Sequence, residues 1–128
     1  MPLVVKYTLD AAQCRNFELS SKREWLLTNG LGGFAMGTVS GANTRRYHGL
    51  LVASIQPPAY RSVLLANLEV EIQGEGNPIG LSCNQYHGTI HPEGYQYIEQ
   101  FVVGRTATWK YRASGMLLEK HVAVHPGT

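Results

Sequence analysis

The chain of 128 residues is 44% hydrophobic and 16% charged, which is the composition of one soluble globular domain rather than of a disordered chain. A net charge of +2 is too small to indicate nucleic acid or an anionic membrane as a partner, and no apolar run approaches the roughly twenty residues that a membrane span needs. The N-terminus lacks the basic start and long apolar core of a signal peptide. Cys14 and Cys83 make no disulfide framework, so we predict free thiols in a cytoplasmic protein.

The first half of the chain predicts short strands separated by polar turns. Residues 3–9 (LVVKYTL) are apolar and β-branched and predict an opening strand. Residues 10–21 predict a polar connection, to which residues 11–14 can add one helical turn. Residues 24–52 hold two apolar runs, six glycines and a polar cluster. They predict a strand, a glycine turn, a strand, a tight turn and a third strand, with the polar cluster at the head of that strand.

The second half predicts a long strand, a loop and a closing series of strands. Residues 61–73 are the longest strand candidate, because Leu68, Val70 and Ile72 alternate with polar residues at its end. Residues 79–83 predict a short strand, and the polar, aromatic stretch that follows predicts a long loop at residues 84–95. The remaining strands are predicted at residues 96–103, 107–112 and 116–124, with a hairpin turn at residues 113–115.

The pattern as a whole predicts an all-β chain with negligible helix. No stretch carries a sustained helical period, and no internal repeat is visible. Many short strands between glycine turns predict an antiparallel β-sandwich, with residues 1–128 as a single domain. Because the chain stops soon after its last predicted strand, we expect the sandwich to be incomplete at its C-terminal edge.

One glycine pattern in this stretch formally matches a nucleotide-binding fingerprint. Gly30, Gly32 and Ala35 have the spacing G-x-G-x-x-A, but a dinucleotide site also needs a helix next and an acidic residue about twenty positions later. The residues that follow are rich in glycine and β-branched side chains, and no acid occurs between Glu24 and Glu69. We therefore interpret the glycines as turn and bulge residues and predict no cofactor.

The polar cluster at residues 43–48 (NTRRYH) is the strongest functional candidate in the chain. If it lay on a strand, Arg45 and Tyr47 would share one face, and Arg46 and His48 the other. Arginine forks suit carboxylates or neighbouring hydroxyls, and tyrosine offers a flat face with a hydroxyl. The cluster can be structural, or it can lie at a domain interface or an active-site rim. Neither the net charge nor a basic run supports nucleic acid as its partner.

Two pairs of histidines hint at a metal site. His87 and His91 are four residues apart, and so are His121 and His125. Four residues along a strand span roughly 13 Å, too far for one shared ion, and nearby glycine and proline disfavour a helix. No Cys-x-x-Cys motif or glutamate adjoins either pair as part of a ligand set, so we predict no metal.

Long unbroken motifs resemble one known family. They are EWLLTNGLGG at residues 24–33, GTVSGANTRRYHGLLVA at residues 37–53 and SVLLANLE at residues 62–69, followed by shorter matches at residues 84–86, 89–92, 94–97 and 117–120. Across residues 17–124, the chain resembles the N-terminal domain of bacterial and archaeal glycogen debranching enzymes of the amylo-α-1,6-glucosidase type. The resemblance implies a β-sandwich placed ahead of an α/α-barrel that holds the catalytic carboxylates. The implied partners are that barrel and α-glucan, either glycogen or limit dextrin.

Because the resemblance implies a sugar substrate, the acids are candidates for catalysis and the aromatic residues are candidates for sugar binding. Glycoside hydrolysis usually needs two carboxylates about 5 to 10 Å apart, but the nine acids form no distinctive pair, and the chain alone is predicted to be inactive. Tyrosines in the predicted loop can offer flat faces to pyranose rings, although aromatic residues at strand positions are more often core. The candidate substrate-binding or barrel-interface residues are Asn43, Arg45, Arg46, Tyr47, His48, Tyr86, His91 and Tyr95.

Two functions stay open at this point. The first is a non-catalytic N-terminal region of a glycogen debranching enzyme, which shapes the glucan site and supports the barrel. The second is a free-standing α-glucan-binding module, or a decayed remnant, with no enzyme attached. A catalytic barrel encoded in frame downstream distinguishes the first from the second.

Overall fold

The computed structural model describes residues 6–30, 32–56, 60–73, 76–86 and 88–125. Strand accounts for 52% and helix for 14%, so the predicted all-β class is confirmed, while helix is more abundant than expected. The helices are α1 (Ala11–Arg15), α2 (Phe17–Lys22) and a 3₁₀ helix (Gly94–Tyr97). The strands are β1 (Tyr7–Asp10), β2 (Glu24–Thr28), β3 (Phe34–Thr38), β4 (Gly49–Gln56), β5 (Tyr60–Leu65), β6 (Glu71–Ile72), β7 (Ile79–Gly80), β8 (Cys83–Tyr86), β9 (Thr89–Glu93), β10 (Ile98–Val103), β11 (Ala107–Ala113) and β12 (Met116–Val122).

Two four-stranded antiparallel sheets form the body of the described chain. The first sheet has the order β1-β10-β11-β12, and the second has the order β2-β3-β4-β5. Two small antiparallel hairpins, β6-β7 and β8-β9, lie in the connection between the sheets. Each sheet is therefore built mainly from consecutive strands, as short turns favour.

The core lies between the two sheets and centres on two tryptophans. Trp25 on β2 and Trp109 on β11 meet edge to face, with ring centroids 5.4 Å apart. The Trp109 Nε1–H donates to the Val39 carbonyl at 2.8 Å, and the Trp25 Nε1–H donates to the Thr38 carbonyl at 3.2 Å. Both buried donors are thus satisfied, and the sandwich gains the aromatic area without an unpaired polar group.

The two short helices begin at side-chain caps rather than at an apolar period. Asp10 Oδ1 accepts from the Gln13 N–H, and Gln13 Oε1 accepts from the Asp10 N–H, each at 2.9 Å. This capping box begins α1, and the Asn16 side chain caps α2 by accepting from the Leu19 N–H. Helices of five and six residues show too little periodicity to register in a sequence pattern. For this reason the sequence underestimated the helix content, which is 14% rather than negligible.

The predicted long strand at residues 61–73 is wrong in its second half. Strand β5 ends at Leu65, and the next regular residues are the two of β6. Between them the Val70 N–H donates to Ser82 Oγ, and the Val70 carbonyl accepts from the Leu81 N–H, each at 2.8 Å. These partners divert the chain from the sheet and leave Leu68 61% exposed.

The predicted long loop at residues 84–95 is also wrong, because most of it forms the β8-β9 hairpin. Tyr86 pairs with Thr89, and Cys83 pairs with Glu93. The backbone then turns sharply at Gly94, where a Cβ would overlap the Leu81 carbonyl. A two-stranded hairpin with exposed polar side chains has the composition of a loop, which is why its composition misled the prediction.

The closing strands of the first sheet are confirmed as β10, β11 and β12. The hairpin turn between the last two has positive φ at both central residues, 52° at Ser114 and 74° at Gly115. Among the described residues β12 pairs only with β11, so it lies at the edge of its sheet. Its half-buried face carries Leu118, Lys120 and Val122.

Candidate functional site

The outer face of the β2-β3 hairpin is apolar and open. Trp25 and Leu27 point into the core, and the alternate residue Leu26 is 53% exposed. The register places Leu26 opposite Met36, and Thr28 opposite Phe34. The hairpin therefore covers the core with one face and presents a row of apolar side chains on the other.

The glycines between β2 and β3 form a turn and do not form a phosphate site. Asn29 Oδ1 accepts from the Gly33 N–H at 3.0 Å, and the Asn29 N–H donates to the Gly33 carbonyl. Gly30 and Gly32 have φ of 80° and 87°, which residues with a Cβ rarely adopt. A strand follows this turn, so the helix N-terminus that the dinucleotide fingerprint requires is replaced by β3.

The polar cluster lies in the loop that connects β3 to β4, immediately before β4, and not on a strand. The expected alternation of Arg45 and Tyr47 against Arg46 and His48 is therefore wrong. The loop turns on itself, because the Arg45 carbonyl accepts from the His48 N–H at 3.0 Å. This turn places Arg45, Arg46 and Tyr47 along a single groove.

His48 anchors the loop from inside. Its side chain is fully buried, and Nδ1 accepts from the N–H groups of Thr44 at 2.8 Å and Arg45 at 3.1 Å. A ring nitrogen that accepts two hydrogen bonds carries no proton, so the proton of the neutral ring lies on Nε2. Nε2 therefore donates to Glu24 Oε2, 2.6 Å away.

Glu24 joins the loop to β2 through both carboxylate oxygens. While Oε2 accepts from His48, Oε1 accepts from Arg45 Nη1 at 2.8 Å. Burial alone would raise the pKa of Glu24, but the hydrogen bonds from His48 and Arg45 outweigh it and lower the pKa. Asn43 adds a further tie, since its Nδ2 donates to the Ala66 carbonyl at 3.1 Å. Three members of the cluster thus hold the loop in place.

Arg46 and Tyr47 are the members left to face outward. The Arg46 guanidinium lies 5.3 Å from the centroid of the Tyr47 ring, and Arg46 makes no ion pair with any described residue. Both line a groove of about 520 Å³, which we call the arginine groove. The residues that define it are Leu26, Phe34 and Met36 from the hairpin, and Arg45, Arg46 and Tyr47 from the loop.

The other predicted site residues do not join this groove. Tyr86 on β8 is 62% exposed, and His91 on β9 is exposed as well. Tyr95 is 8% exposed, and its ring packs on Phe17 with centroids 5.1 Å apart, so little of it is left for a sugar. His87 lies outside the described residues. The structure therefore brings together the loop candidates and separates them from the hairpin candidates.

Comparison with protein families identifies the chain. The model of the family described as glycogen debranching enzyme N terminal matches residues 23–128. The chain belongs to this family. No match was found among the curated proteins or among the solved structures.

The arginine groove lies wholly within the part matched to the glycogen debranching enzyme N-terminal family. The match begins at Arg23, one residue before the Glu24 that fixes the loop. Strand β1 and helices α1 and α2 precede it, although β1 pairs with β10 in the first sheet. The two four-stranded sheets therefore include a strand that the family match does not cover.

Sequence reasoning missed Glu24 and the apolar side of the groove. Glu24 is the nearest acid that precedes the two arginines and the histidine, and the next acid in the chain is Glu69. That isolation was the signal available for pairing it with the cluster. The alternation of Trp25 and Leu27 with Leu26 could have indicated the outward apolar row.

The acidic side chains of Glu69, Glu93 and Glu99 lie outside the arginine groove, and two of them are hydrogen-bonded to other side chains. Glu99 Oε1 accepts from Arg112 Nε at 2.6 Å, and Glu69 Oε1 accepts from Asn84 Nδ2 at 2.9 Å. Glu93 is exposed at the end of β9. Within the described ranges no three His, Cys, Asp or Glu side chains are grouped to hold a metal ion. None of the helices in those ranges is long and apolar enough to cross a membrane.

Proposed function

We propose that the chain is the non-catalytic N-terminal region of a cytoplasmic glycogen debranching enzyme of the α-1,6-glucosidase type. In this proposal it shapes the glucan site and supports a catalytic α/α-barrel. The observation that carries it is the network in which Glu24, His48 and Arg45 fix the loop. That network leaves Arg46 and Tyr47 outward beside exposed Leu26.

The chemistry of the arginine groove suits a partner that is both polar and apolar. A pyranose ring has apolar C–H faces and hydroxyl edges, and a tyrosine face with a nearby guanidinium can meet both. The surface of a catalytic domain at the rim of a glucan site offers similar features, with carboxylates that an arginine can bind in a fork. Fixing the loop through buried His48 lowers the entropy cost of either contact.

The acids of the chain support a non-catalytic role. Hydrolysis by two carboxylates needs one acid and one base or nucleophile on opposite sides of a single bond. Glu99 is bound to Arg112, and the carboxylate nearest the arginine groove, Glu24, is held by two hydrogen bonds and has a lowered pKa. A carboxyl with a lowered pKa is a poor proton donor to a leaving group.

The deciding experiment incubates the purified chain with a branched limit dextrin and measures released glucose. We expect no release from the chain alone and release once the chain is joined to the downstream barrel. Glucose above the blank that disappears when Glu93 or Glu99 is replaced by Gln would overturn the proposal. A stop codon in the gene directly after Thr128 would favour a free-standing glucan-binding module instead.

A further inference from the structure

A second groove lies among the two small hairpins and the 3₁₀ helix. It measures about 570 Å³ and shares no residue with the arginine groove. We call it the hairpin groove and define it by Asn77, Ile90, His91, Glu93, Gln96 and Tyr97. Four of its polar side chains are exposed, and Tyr97 is half-buried against the core.

The polar side chains of the hairpin groove keep their hydrogen-bonding capacity free. No side-chain hydrogen bond to any described residue is made by five of them: Asn77, His91, Glu93, Gln96 and Tyr97. Neighbouring polar side chains on the same hairpins are paired instead. Asn84 donates to Glu69 at 2.9 Å, and Gln73 donates to Glu71 at 2.8 Å. The groove therefore gathers, on one surface, donors and acceptors that have no partner within the described part of the chain and that a ligand can bind in place of water.

The charges of the groove limit what it can bind. Among the described residues that line it, Glu93 is the single carboxylate, and none is a lysine or an arginine. Phosphate, nucleic acid and acidic peptides need cations, so they do not fit. Amide groups, one imidazole, one carboxylate and a phenol beside the apolar Ile90 suit a neutral ligand that carries many hydroxyls and some C–H surface.

The walls of the hairpin groove are held by close backbone packing. A Cβ at Gly80 would lie 2.8 Å from the Pro92 side chain, so β7 and β9 approach in direct contact. The Gly94 N–H donates to the Ser82 carbonyl at 3.0 Å and fixes the start of the 3₁₀ helix. The backbone that carries the polar side chains is therefore fixed before a ligand arrives, and binding has to order only the side chains themselves.

We propose that the hairpin groove is a second binding site, separate from the arginine groove, for a neutral oligosaccharide. Asn77 and Gln96 donate from their amides, Glu93 accepts from sugar hydroxyls, and Tyr97 contributes its ring edge and phenol. The choice of an α-glucan as the oligosaccharide rests on the proposed function. The choice of a neutral, hydroxyl-rich ligand rests on the groove alone.

The test is a nuclear magnetic resonance titration of the ¹⁵N-labelled chain with maltoheptaose, and in parallel with cellohexaose. We expect maltoheptaose to shift the side-chain amide signals of Asn77 and Gln96. The double variant Asn77→Ala, Gln96→Ala should weaken binding about tenfold or more, since two hydrogen-bonding groups are lost. The matched control is Gln85→Ala, exposed on β8 and outside the groove, which should bind as the unchanged chain does.

The outcomes separate this inference from the proposed function. If cellohexaose shifts the same amide signals equally, the groove is a neutral-sugar site, but it is not selective for α-glucan. Shifts confined to the arginine groove would overturn the second site and leave the proposed function standing. No shift with either sugar at millimolar concentration, or an equal loss in Gln85→Ala, would overturn the second site as well. Binding that persists while the barrel-joined protein fails to release glucose would count against the proposed function alone.

Discussion

His48 Nε2 lies 2.6 Å from Glu24 Oε2, and this contact joins the loop before β4 to the first residue of β2. The imidazole is fully buried, while Glu24 is 31% exposed. Because Nδ1 accepts from two backbone N–H groups, the ring is fixed in one tautomer and one orientation. The position of Arg46 and Tyr47 therefore depends on a histidine that no ligand reaches.

Replacing the outward residues should affect function more than folding. In a protein that joins the chain to its catalytic barrel, Arg46→Ala and Tyr47→Ala should each lower kcat/KM on limit dextrin by about tenfold or more. The free energy of unfolding should change by less than about 1 kcal/mol for Arg46→Ala, because Arg46 is exposed and forms no ion pair with the described residues. The matched control is Arg105→Ala, an exposed arginine outside the groove. Equal losses of stability and activity would favour a purely structural cluster.

Replacing the inward histidine should have the opposite effect. His48→Ala leaves the Thr44 and Arg45 N–H groups without their acceptor and should cost about 2 to 4 kcal/mol of unfolding free energy. Arg45→Ala, which removes an exposed ion pair to Glu24, should cost less than about 1 kcal/mol. Urea unfolding of both variants measures the difference. Similar midpoints for the two variants would show that the buried imidazole does not anchor the loop.

The lowered pKa of Glu24 predicts a loss of stability in acid. Burial opposes the charged form, but the hydrogen bonds from His48 and Arg45 outweigh it, so the folded-state pKa lies below the ordinary 4.5. The stabilisation is present above pH 4.5 and is lost as the pH falls through the folded-state pKa. Thermal unfolding between neutral pH and pH 3 should show a smaller decrease for Glu24→Gln than for the unchanged chain. Parallel decreases would mean that Glu24 gains nothing from its two partners.

The sequence predicted the fold class and most strands because period-two patterns report burial directly. It failed in the second half of the strand predicted through Gln73, because β5 ends at Leu65 and Val70 bonds to Ser82 and Leu81 instead of continuing the sheet. It also failed at the β8-β9 hairpin, where exposed side chains such as Tyr86 gave a strand the composition of a loop. The Val70 bond joins residues twelve positions apart and leaves no local pattern, whereas in the hairpin the exposed side chains hide the alternation.

The sequence predicted the residues of the candidate site but not how they are arranged. The cluster at residues 43–48 was visible from its chemistry, and the structure brings Arg45, Arg46 and Tyr47 to one groove. Its division into an inward anchor, His48, and an outward pair was not visible, because it depends on a turn rather than on strand alternation. Glu24 is separated from His48 by 24 positions, so only the fold shows that they touch.

Lys120 lies on β12, the edge strand of the first sheet, and should make stability depend on pH. It sits on the half-buried face of β12, opposite Trp109, with Nζ 4.4 Å from the centroid of one of the Trp109 rings. Burial lowers the pKa of Lys120 from 10.5 to about 8. Between these values the unfolded chain binds more protons than the folded one, so this lysine makes stability rise as the pH increases from about 8 to 10.5. A charged lysine at an edge also discourages another chain from pairing there.

Lys120→Met should therefore stabilise the chain at pH 7 and flatten this rise. The lowered pKa corresponds to a cost of about 3 kcal/mol for burying the charged lysine. The attraction of the ammonium to the Trp109 ring offsets about 1 to 2 kcal/mol of that cost. We therefore expect Lys120→Met to raise the free energy of unfolding at pH 7 by about 1 to 2 kcal/mol. Urea unfolding at pH 7 and pH 10 measures both effects. The matched control Lys110→Met, on a half-exposed lysine 3.9 Å from Glu119, should change stability by less than about 0.5 kcal/mol. If Lys120→Met is less stable than the unchanged chain at pH 7, the contact with Trp109 outweighs the cost of burying the charge.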